Sequence, residues 1–464
     1  MTAWLAKRFL AAAMPPTQTP RVTELAPDLQ LAALNNLGLM YAQGQGVEQD
    51  FARALDCYQQ AAERGVAQAQ SNLAVMFAHG QGVAQDFSQA HKWYRAAAEQ
   101  GLPYAQTNLA VMYANGQGAE RDYQQALKWY QAAAEQGDTS AQRGLGVMYA
   151  NGQGVPQDFE RAMQCYQGGA ASGDAAAQYG MGVMYANGHG VEKDLQQACH
   201  WYQLAAAQKH VHALFNLGFL YSNGVGIPLD MDKAYQCYEA AAKLGDAAAQ
   251  YNLGVLYSSA QGPERSDEKA LHWYRKAAEQ GDAAAQFNLG LMYATGQGVE
   301  QNDASALEWY QLAADQGDAQ AQYNLGVMIA IGQGTQPSRT VAMQWLQLAA
   351  DQGDVLAWYN LGALYQEGAD QAPDYQRALH CYRQAAQGGQ PDAQAALGWL
   401  YANGMGVLQD FVRAHMWFNV GAVGGHTQAA SGREFVAQQM TPSQIAQAQT
   451  MARSCIEQRF VGFD

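Results

Sequence analysis

The feature that most constrains this chain is an internal repeat with a period of 36 residues. A small residue, glycine or alanine, recurs at that interval through eleven copies without an insertion or a deletion. The recurring residues are Gly38, Ala74, Ala110, Gly146, Gly182, Gly218, Gly254, Gly290, Gly326, Gly362 and Gly398. Because a fixed period of this length is the signature of stacked repeats, the 464 residues predict an array of similar units and not one large core.

Each copy has the pattern of two helices separated by a loop, which we call helix A and helix B. In the seventh copy Asp246 is placed to cap helix A, and the apolar residues Leu253 and Tyr257 follow at helical spacing. Two glycines then end helix A, as Gly152 and Gly154 do in the fourth copy, since glycine accepts the left-handed conformation favoured at a helix C terminus. The predicted caps of helix B include Asp50, Asp86, Asp122, Asp158 and Asp194.

The residue before the first loop glycine is usually asparagine. Asparagine tolerates the left-handed conformation better than most residues, so we predict that it caps helix A in that conformation. The residues concerned are His79, Asn115, Asn151, Asn187 and Asn223.

Three positions are alanine in all eleven copies, and their series begin at Ala33, Ala54 and Ala62. Alanine at fixed helical positions lets neighbouring backbones approach closely, and a larger side chain would push them apart. One pair of helices cannot bury its own apolar face, so we expect neighbouring repeats to stack into a continuous core.

Two segments flank the array, which we place at residues 30–425. Residues 426–464 contain Thr441-Pro442-Ser443-Gln444, the pattern of a capping box with proline at the first helical position, and predict a helical cap that ends near Phe460. Residues 1–29 contain several prolines and predict a loose leader and the start of a capping helix.

The leader also resembles an export signal, because Lys7 and Arg8 precede an apolar run. That run is six residues long, shorter than the usual range of about 7–15 residues. We therefore predict a cytoplasmic protein, with a periplasmic or secreted one as the alternative.

Charge and hydropathy exclude several classes of partner. The net charge is -15 and Lys and Arg do not cluster, which disfavours nucleic acid and anionic lipid. No stretch approaches the roughly 18 consecutive apolar residues that a membrane-spanning helix needs.

The six cysteines do not have the spacing of a disulfide framework. Four of them occupy one repeat position and lie at least two repeats apart, too far for the roughly 4.4–6.8 Å between the Cα atoms of a disulfide. We interpret them as small core residues in a reducing compartment. The four are Cys57, Cys165, Cys237 and Cys381.

The sequence contains few motifs that could indicate a catalytic, metal or nucleotide site. Ser266 and Lys269 have the Ser-x-x-Lys spacing of penicillin-recognising enzymes, but the companion motifs of those enzymes are missing. His210 and His212 lie near Cys199 and His200 in sequence without the spacing of a zinc site. The Gly-x-Gly pairs follow helices and not strands, so they are not nucleotide loops. We predict no enzyme activity, catalytic residue, metal or cofactor.

The repeat resembles the Sel1-like repeat of the tetratricopeptide superfamily. The resemblance is carried by Ala105 to Gly118, followed by Asp122, Ala126 and Trp129-Tyr130, and it recurs in register through residues 30–425. It implies an all-α, right-handed superhelical solenoid in which helices A line the concave groove. It also implies a bacterial adaptor or scaffold, often in signalling, envelope processes or host contact, without implying a particular ligand.

The chain departs from this pattern in three places. Lys209 replaces the glycine that usually ends helix B, residues 262–265 alter one loop, and Asp370 replaces the second loop glycine of another. We expect the weakest stacking near residues 209 and 370.

An asparagine recurs in helix A at a position that holds peptide main chain in related tetratricopeptide grooves. Its amide can both donate and accept, which suits main-chain recognition. Alternatively, each amide bonds a neighbouring helix and stabilises the stack. The candidates for binding are Asn216, Asn252, Asn288, Asn324 and Asn360, and the same position holds Asn36, Asn72 and Asn108.

The residue before this asparagine is of one type in the early copies and of another type in the later copies. It is polar at Asn35, Ser71, Thr107 and Arg143. It is aromatic at Tyr179, Phe215, Tyr251, Phe287, Tyr323 and Tyr359. Aromatic side chains dominate protein interfaces, although stripes at helical spacing also occur in cores.

These patterns predict an adaptor or scaffold that binds a peptide or helix of another protein in the concave groove. One alternative is an exported version that meets envelope or host proteins. Another is a cell-wall-related hydrolase-like or ligand-binding role, as proposed for some cysteine-rich relatives whose paired cysteines this chain lacks. The sequence specifies neither the partner nor the oligomeric state.

Overall fold

The structure is a computed structural model that describes residues 27–259, 264–368 and 372–460. Within those ranges it is all-helical, with twenty-four helices and no strand. The chain divides into two units, Met1–Asp230 and Met231–Asp464. Helices α1 to α22 alternate, so that odd numbers are helices A and even numbers are helices B.

The first unit contains α1 to α11. Its helices A are Pro27–Gln43, Ala67–His79, Pro103–Asn115, Thr139–Asn151, Ala175–Asn187 and Val211–Asn223. Its helices B are Phe51–Glu63, Phe87–Glu99, Tyr123–Ala134, Phe159–Ala171 and Leu195–Ala207.

The second unit contains α12 to α24. Its helices B are Met231–Lys243, Asp267–Glu279, Asp303–Asp315, Arg339–Asp351, Tyr375–Gln387 and Phe411–Val423. Its helices A are Ala247–Ser258, Ala283–Thr295, Ala319–Ile331, Val355–Glu367 and Pro391–Asn403. Two further helices, α23 and α24, are Thr427–Ala437 and Pro442–Glu457.

The predicted N-caps are confirmed. Asp246 accepts the backbone N–H of Ala249 at 2.7 Å and begins α13. The five aspartates predicted to cap helices B also accept backbone N–H groups with their side chains. These bonds satisfy donors that have no partner inside the helix, and the helices begin at the same register in each copy.

The C termini of helices A correct one prediction. Glycine, and not the asparagine before it, takes the left-handed conformation, as Gly152 does with a φ of 66°. His79, Asn115, Asn151, Asn187 and Asn223 are the last residues of their helices. Glycine has no Cβ and adopts this conformation at lower cost, so the neighbouring residue stays helical. The amide of Asn187 donates instead to the carbonyl of Val183, one turn back.

The core of each repeat is a close contact between its two helices. Tyr310 of α16 is 2% exposed and lies against α15 at Gly290, where a Cβ atom would be 2.7 Å from the tyrosine ring. The alanine positions allow the same approach, and Ala270 and Ala306 are fully buried. The small residue that marks the period therefore lies where a helix B side chain packs, and that side chain is aromatic at the other described glycines but Leu346 at Gly326.

The last two helices pack against the final repeat. Helix α24 lies on α22, and α23 lies on α22 and α21. The predicted capping box is present, since Thr441 and Gln444 bond each other's backbone N–H groups. Ala448, Ala452 and Cys455 are buried. We propose that α23 and α24 form the C-terminal cap of the array.

Of the three departures from the repeat pattern, Lys209 is fully described. It follows the end of α10 with a φ of 63°, the left-handed region that its glycine counterparts also occupy. Asp370, Gly262 and Pro263 lie outside the described residues, as does the leader up to residue 26.

Replacing Lys209 with glycine should stabilise the first unit, because a non-glycine residue in this conformation costs about 1 kcal/mol or more. Amide exchange of α10 and α11 should slow in Lys209→Gly. The matched control is Gly173→Lys, at the equivalent position of the preceding repeat, where φ is 88° and no atom lies near an added Cβ. Exchange near Gly173 should become faster by a similar factor. Unchanged or faster exchange in Lys209→Gly would contradict this interpretation.

Candidate protein-binding face

Within each unit, helices A of neighbouring repeats lie side by side. In the second unit α13 packs against α15 and α17 packs against α19. Nδ2 of Asn360 donates to the hydroxyl of Tyr323 at 3.2 Å, which joins α19 to α17. In the first unit Asn72 donates to Asn35 at 3.0 Å in the same way. The helices A of a unit therefore form a continuous surface, which we call the A face of that unit.

The six predicted aromatic residues all lie on helices A and are half-buried. In the second unit the ring of Tyr251 packs beside Tyr274 of helix B in the same repeat, with 5.9 Å between centroids. Phe287 pairs with Tyr310, and Tyr359 with Tyr382, each at 5.8 Å. Tyr179 pairs with Tyr202 in the first unit, also at 5.8 Å. Each of these four rings rests on the core and keeps part of its surface accessible.

The aromatic row of the second unit lies beside carboxylates. Burial raises the pKa of the Tyr251 hydroxyl, and the charges of Asp282 and Asp318 raise it further. Burial also raises the pKa of Tyr359, with a contribution from Asp392. These phenols stay protonated at neutral pH and can donate a hydrogen bond to a partner.

The five helices A of the second unit carry no basic residue, and their only charged residues are Glu367 and Asp392. Aspartates cap four of these helices, each accepting a backbone N–H at 2.7 to 2.8 Å. The four are Asp246, Asp282, Asp318 and Asp354. The A face of this unit is therefore aromatic and apolar, with an acidic edge.

The asparagine row lies next to the aromatic row and is half-buried. Asn252 and Asn288 donate to carbonyl oxygens one turn back in their own helices, at 2.9 and 2.8 Å. Asn360 reaches the preceding helix A. Asn324 and Asn216 lie close enough to the hydroxyls of Tyr310 and Tyr179 to lower the pKa of those phenols, against the larger effect of burial. These contacts support the structural alternative, while binding by either row stays a prediction.

The sequence patterns did not reveal a set of buried glutamine pairs. Gln286 of α15 is 4% exposed, donates to the carbonyl of Ala278 in the preceding repeat at 3.1 Å, and accepts from Gln316 of its own repeat at 2.8 Å. The side-chain amide of Gln286 thus connects two successive helices B through hydrogen bonds. Both its N–H and its oxygen have a partner. The same pairs are Gln70 with Gln100, Gln106 with Gln136, Gln178 with Gln208, Gln250 with Gln280 and Gln322 with Gln352.

One signal could have found these pairs. Glutamine at the two positions, 30 residues apart, recurs together in six copies. The pairing is not obligatory, since Gln142 stands 30 residues before Ser172 and Gln394 stands 30 residues before Gly424.

His210 has a structural role at the start of α11. Its Nδ1 accepts the backbone N–H of Ala213 at 3.3 Å, the bond that aspartate makes in neighbouring copies. Its ring stacks on Tyr179 with 4.7 Å between centroids. Only a neutral imidazole can accept at Nδ1, so this cap requires the unprotonated form.

The surroundings of His210 favour that neutral form. Burial lowers the pKa of His210, and His212 and Arg143 lower it further, while the carboxylate of Asp174 acts in the opposite direction. Because the pKa in the folded state lies below the unfolded value near 6.5, the unfolded chain binds more protons as the pH falls through that value. The cap therefore stabilises the fold above about pH 6.5 and loses that effect at lower pH.

His210→Asp should make the fold lose less stability when the pH is lowered. Aspartate is the usual cap at this position and stays ionised at pH 5.5. The unfolding temperature of the first unit should fall less between pH 7.5 and pH 5.5 in the variant than in the wild type. Burial also lowers the pKa of His91, which lies in the same unit, so part of the pH dependence should remain. Equal losses in both proteins would contradict the role assigned to His210.

The Ser-x-x-Lys motif also has a structural role. The hydroxyl of Ser266 accepts the N–H of Lys269 and caps α14, while Nζ of Lys269 lies 2.8 Å from a carboxylate oxygen of Glu264. Among the described residues, no three His, Cys, Asp or Glu side chains are grouped closely enough to hold a metal ion.

The six cysteines are free thiols. Burial raises the pKa of the Cys381 thiol to about 12 and that of Cys455 to about 11. Both thiols are protonated at neutral pH and are poor nucleophiles.

The fold and the A faces define an α-helical repeat protein of the kind that typically serves as a protein-interaction scaffold. The family model described as Sel1 repeat matches eleven successive segments, and the chain belongs to the Sel1 repeat family. The matched residues are 31–66, 67–102, 103–138, 139–174, 175–210, 211–246, 247–282, 283–318, 319–354, 356–390 and 391–424. The predicted repeat is thereby confirmed.

Solved structures agree with this assignment. The chain is 33% identical to c5321, a protective antigen present in uropathogenic Escherichia coli strains that displays an SLR fold, with a TM-score of 0.74 over 96% of each chain. It is 34% identical to a Sel1 repeat protein from Oxalobacter formigenes, with a TM-score of 0.51 over 71% of this chain and 93% of that one. The predicted bacterial origin fits both relatives. No curated protein matches the chain significantly.

No helix among the described residues combines the length and the hydropathy needed to cross a bilayer.

Proposed function

We propose that the A face of the second unit binds a segment of another protein, and that the chain acts as a non-enzymatic adaptor or scaffold. The observation that carries this proposal is the row of half-buried aromatic side chains at consecutive repeats. Such rings are held in place by the core yet keep accessible surface, so they bury area on binding at low entropic cost. The row consists of Tyr251, Phe287, Tyr323 and Tyr359.

The charge of this face favours one kind of partner. Its helices A lack basic residues, and aspartates follow one edge. An acidic segment would meet like charge without compensation, whereas Lys or Arg side chains could lie over the tyrosine rings and face the aspartates. We infer a partner segment that presents apolar anchors with neutral or basic flanks.

Truncating the aromatic row should abolish capture of such a partner. The test variant is Tyr251→Ala/Phe287→Ala/Tyr323→Ala, and the bait is the full chain in native lysate with mass spectrometry as the readout. At least one protein should be retained about tenfold less by this variant than by the wild type, as expected for loss of interface anchors.

The matched control changes apolar residues on helices B of the same unit. Leu312 and Leu348 are each 46% exposed and Val341 is 38% exposed. Leu312→Ala/Val341→Ala/Leu348→Ala should retain the partner, and both variants should keep the helicity of the wild type by circular dichroism. Equal capture by the two variants would assign the aromatic row to the core and move the search to other surfaces.

A second candidate function uses the same binding face, but in an exported protein that binds envelope or host proteins. The similarity to c5321, which is described as a protective antigen, favours this candidate. The two candidates differ in the fate of the leader, since a cytoplasmic protein retains it and a signal peptide is removed. No observation on the described residues favours the cell-wall-related alternative.

A further inference from the structure

Several departures from the repeat pattern meet at one groove of the first unit. The groove lies between α7 and α9, with Tyr166 of α8 beneath it, and has a volume of about 460 Å³. Arg143 lines one end, and Asn151, eight residues later in the sequence, lines the other. That separation corresponds to about 12 Å of helix. A cavity of this size can bind a small ligand or a few residues of a peptide.

Two copies at this groove lack the asparagine of helix A. Gly144 and Gly180 stand where eight copies have asparagine. A Cβ atom at Gly144 would lie 2.5 Å from the ring of Tyr130, and one at Gly180 would lie 2.9 Å from the ring of Tyr166. Both rings are 7% exposed, whereas the equivalent tyrosines of the other copies are 2% or 3% exposed. The two core rings therefore reach into the space where other copies place the asparagine side chain.

Arg143 gives the groove a positive charge. It is the single Lys or Arg residue on the helices A that the structure describes, and its side chain is 39% exposed. Burial raises the pKa of Tyr130 and Tyr166, and the charge of Arg143 acts in the opposite direction. The guanidinium group therefore lies near both rings.

The carboxylate of Asp174 leaves donors of Arg143 available. Oδ1 of Asp174 accepts the backbone N–H of Ala177 at 2.6 Å as the cap of α9, and it lies 3.6 Å from Nε of Arg143. This Nε is buried and makes no hydrogen bond within the described part of the chain. A guanidinium group has five N–H donors in a geometry that matches a carboxylate, so Arg143 can also bind a carboxylate from a partner.

The other end of the groove has an apolar lining. His189 stands in the loop after α9, where the four preceding copies have glutamine. Its ring stacks on Phe159, the first residue of α8, with 4.3 Å between centroids and 14° between the ring planes. Both rings line the groove together with Val147 and Val183. This end therefore offers aromatic and aliphatic surface, while the end at Arg143 offers positive charge.

We propose that this groove binds an extended segment of a partner protein, with an acidic side chain of the segment on Arg143 and apolar side chains towards the other end. Charge complementarity selects the acidic residue, because the described lining contains Arg143 and no Asp or Glu. About four residues of extended chain span the 12 Å of the groove. The site lies in the first unit, and the proposal is independent of the binding function assigned to the A face of the second unit.

The test measures binding of the full chain to an array of ten-residue peptides, each with one glutamate among apolar residues. A second array has glutamine in place of that glutamate. The wild type should retain at least one glutamate peptide about tenfold more strongly than its glutamine counterpart, because the charged hydrogen bonds to Arg143 need the carboxylate. Arg143→Gln should remove this preference. Gly180→Asn, which introduces the residue usual at this position, should lower retention of the same peptides about tenfold because its side chain occupies the groove.

The matched control is Arg121→Gln, which removes the same charge from an exposed loop residue of the same unit and should bind as the wild type. Tyr251→Ala/Phe287→Ala/Tyr323→Ala should also retain the glutamate peptides, so failure of this proposal is distinguishable from failure of the proposed function. Circular dichroism should show equal helicity in all variants. Arg143→Gln decides the question even if Gly180→Asn misfolds.

Three results would overturn the proposal. The first is a wild type that retains no peptide or does not prefer glutamate to glutamine. The second is the same preference in Arg143→Gln as in the wild type. The third is a molar mass in solution that doubles with concentration in the wild type but not in Gly180→Asn, because the occupant of the groove is then a second copy of the chain.

Discussion

The close approach of helix B to helix A within a repeat is the constraint on which the rest of the structure depends. A ring such as Tyr310 fills the space over Gly290, and alanines such as Ala306 let the backbones meet. A side chain larger than alanine at either position would move a helix. Most repeats use this contact, and Leu346 replaces the ring over Gly326, so a one-residue insertion in a helix would turn the helix B side chain away from its small partner. This accounts for the uninterrupted period.

The fixed core leaves few places where repeats can differ. Among the described residues most buried polar side chains are glutamines, and six of these seven accept a hydrogen bond from a second glutamine, as Gln286 does from Gln316. Variation is left to the loops, the outer side of helices B and the A faces. The change from polar to aromatic residues along helices A is one of these variations, and the proposed binding face is built on it.

Local features of the fold could be predicted from the sequence, and features that depend on distant residues could not. The caps at Asp246 and Thr441 follow from side chains that bond backbone three residues away. The left-handed role predicted for residues such as Asn151 was wrong because the adjacent glycine takes that conformation at lower cost. The glutamine pairs join residues 30 positions apart. Half-burial of the aromatic row needed the structure, because spacing alone does not separate core rings from surface rings.

The central claim is that each repeat is held by its immediate neighbours, and Ala270→Trp tests it most directly. Ala270 is fully buried between helices, so the substitution should open the array locally. Hydrogen exchange should rise between about residues 235 and 310 and stay unchanged in residues 375–457, with Lys276→Trp on the exposed side of the same helix as the control. A uniform rise across the second unit would contradict the account.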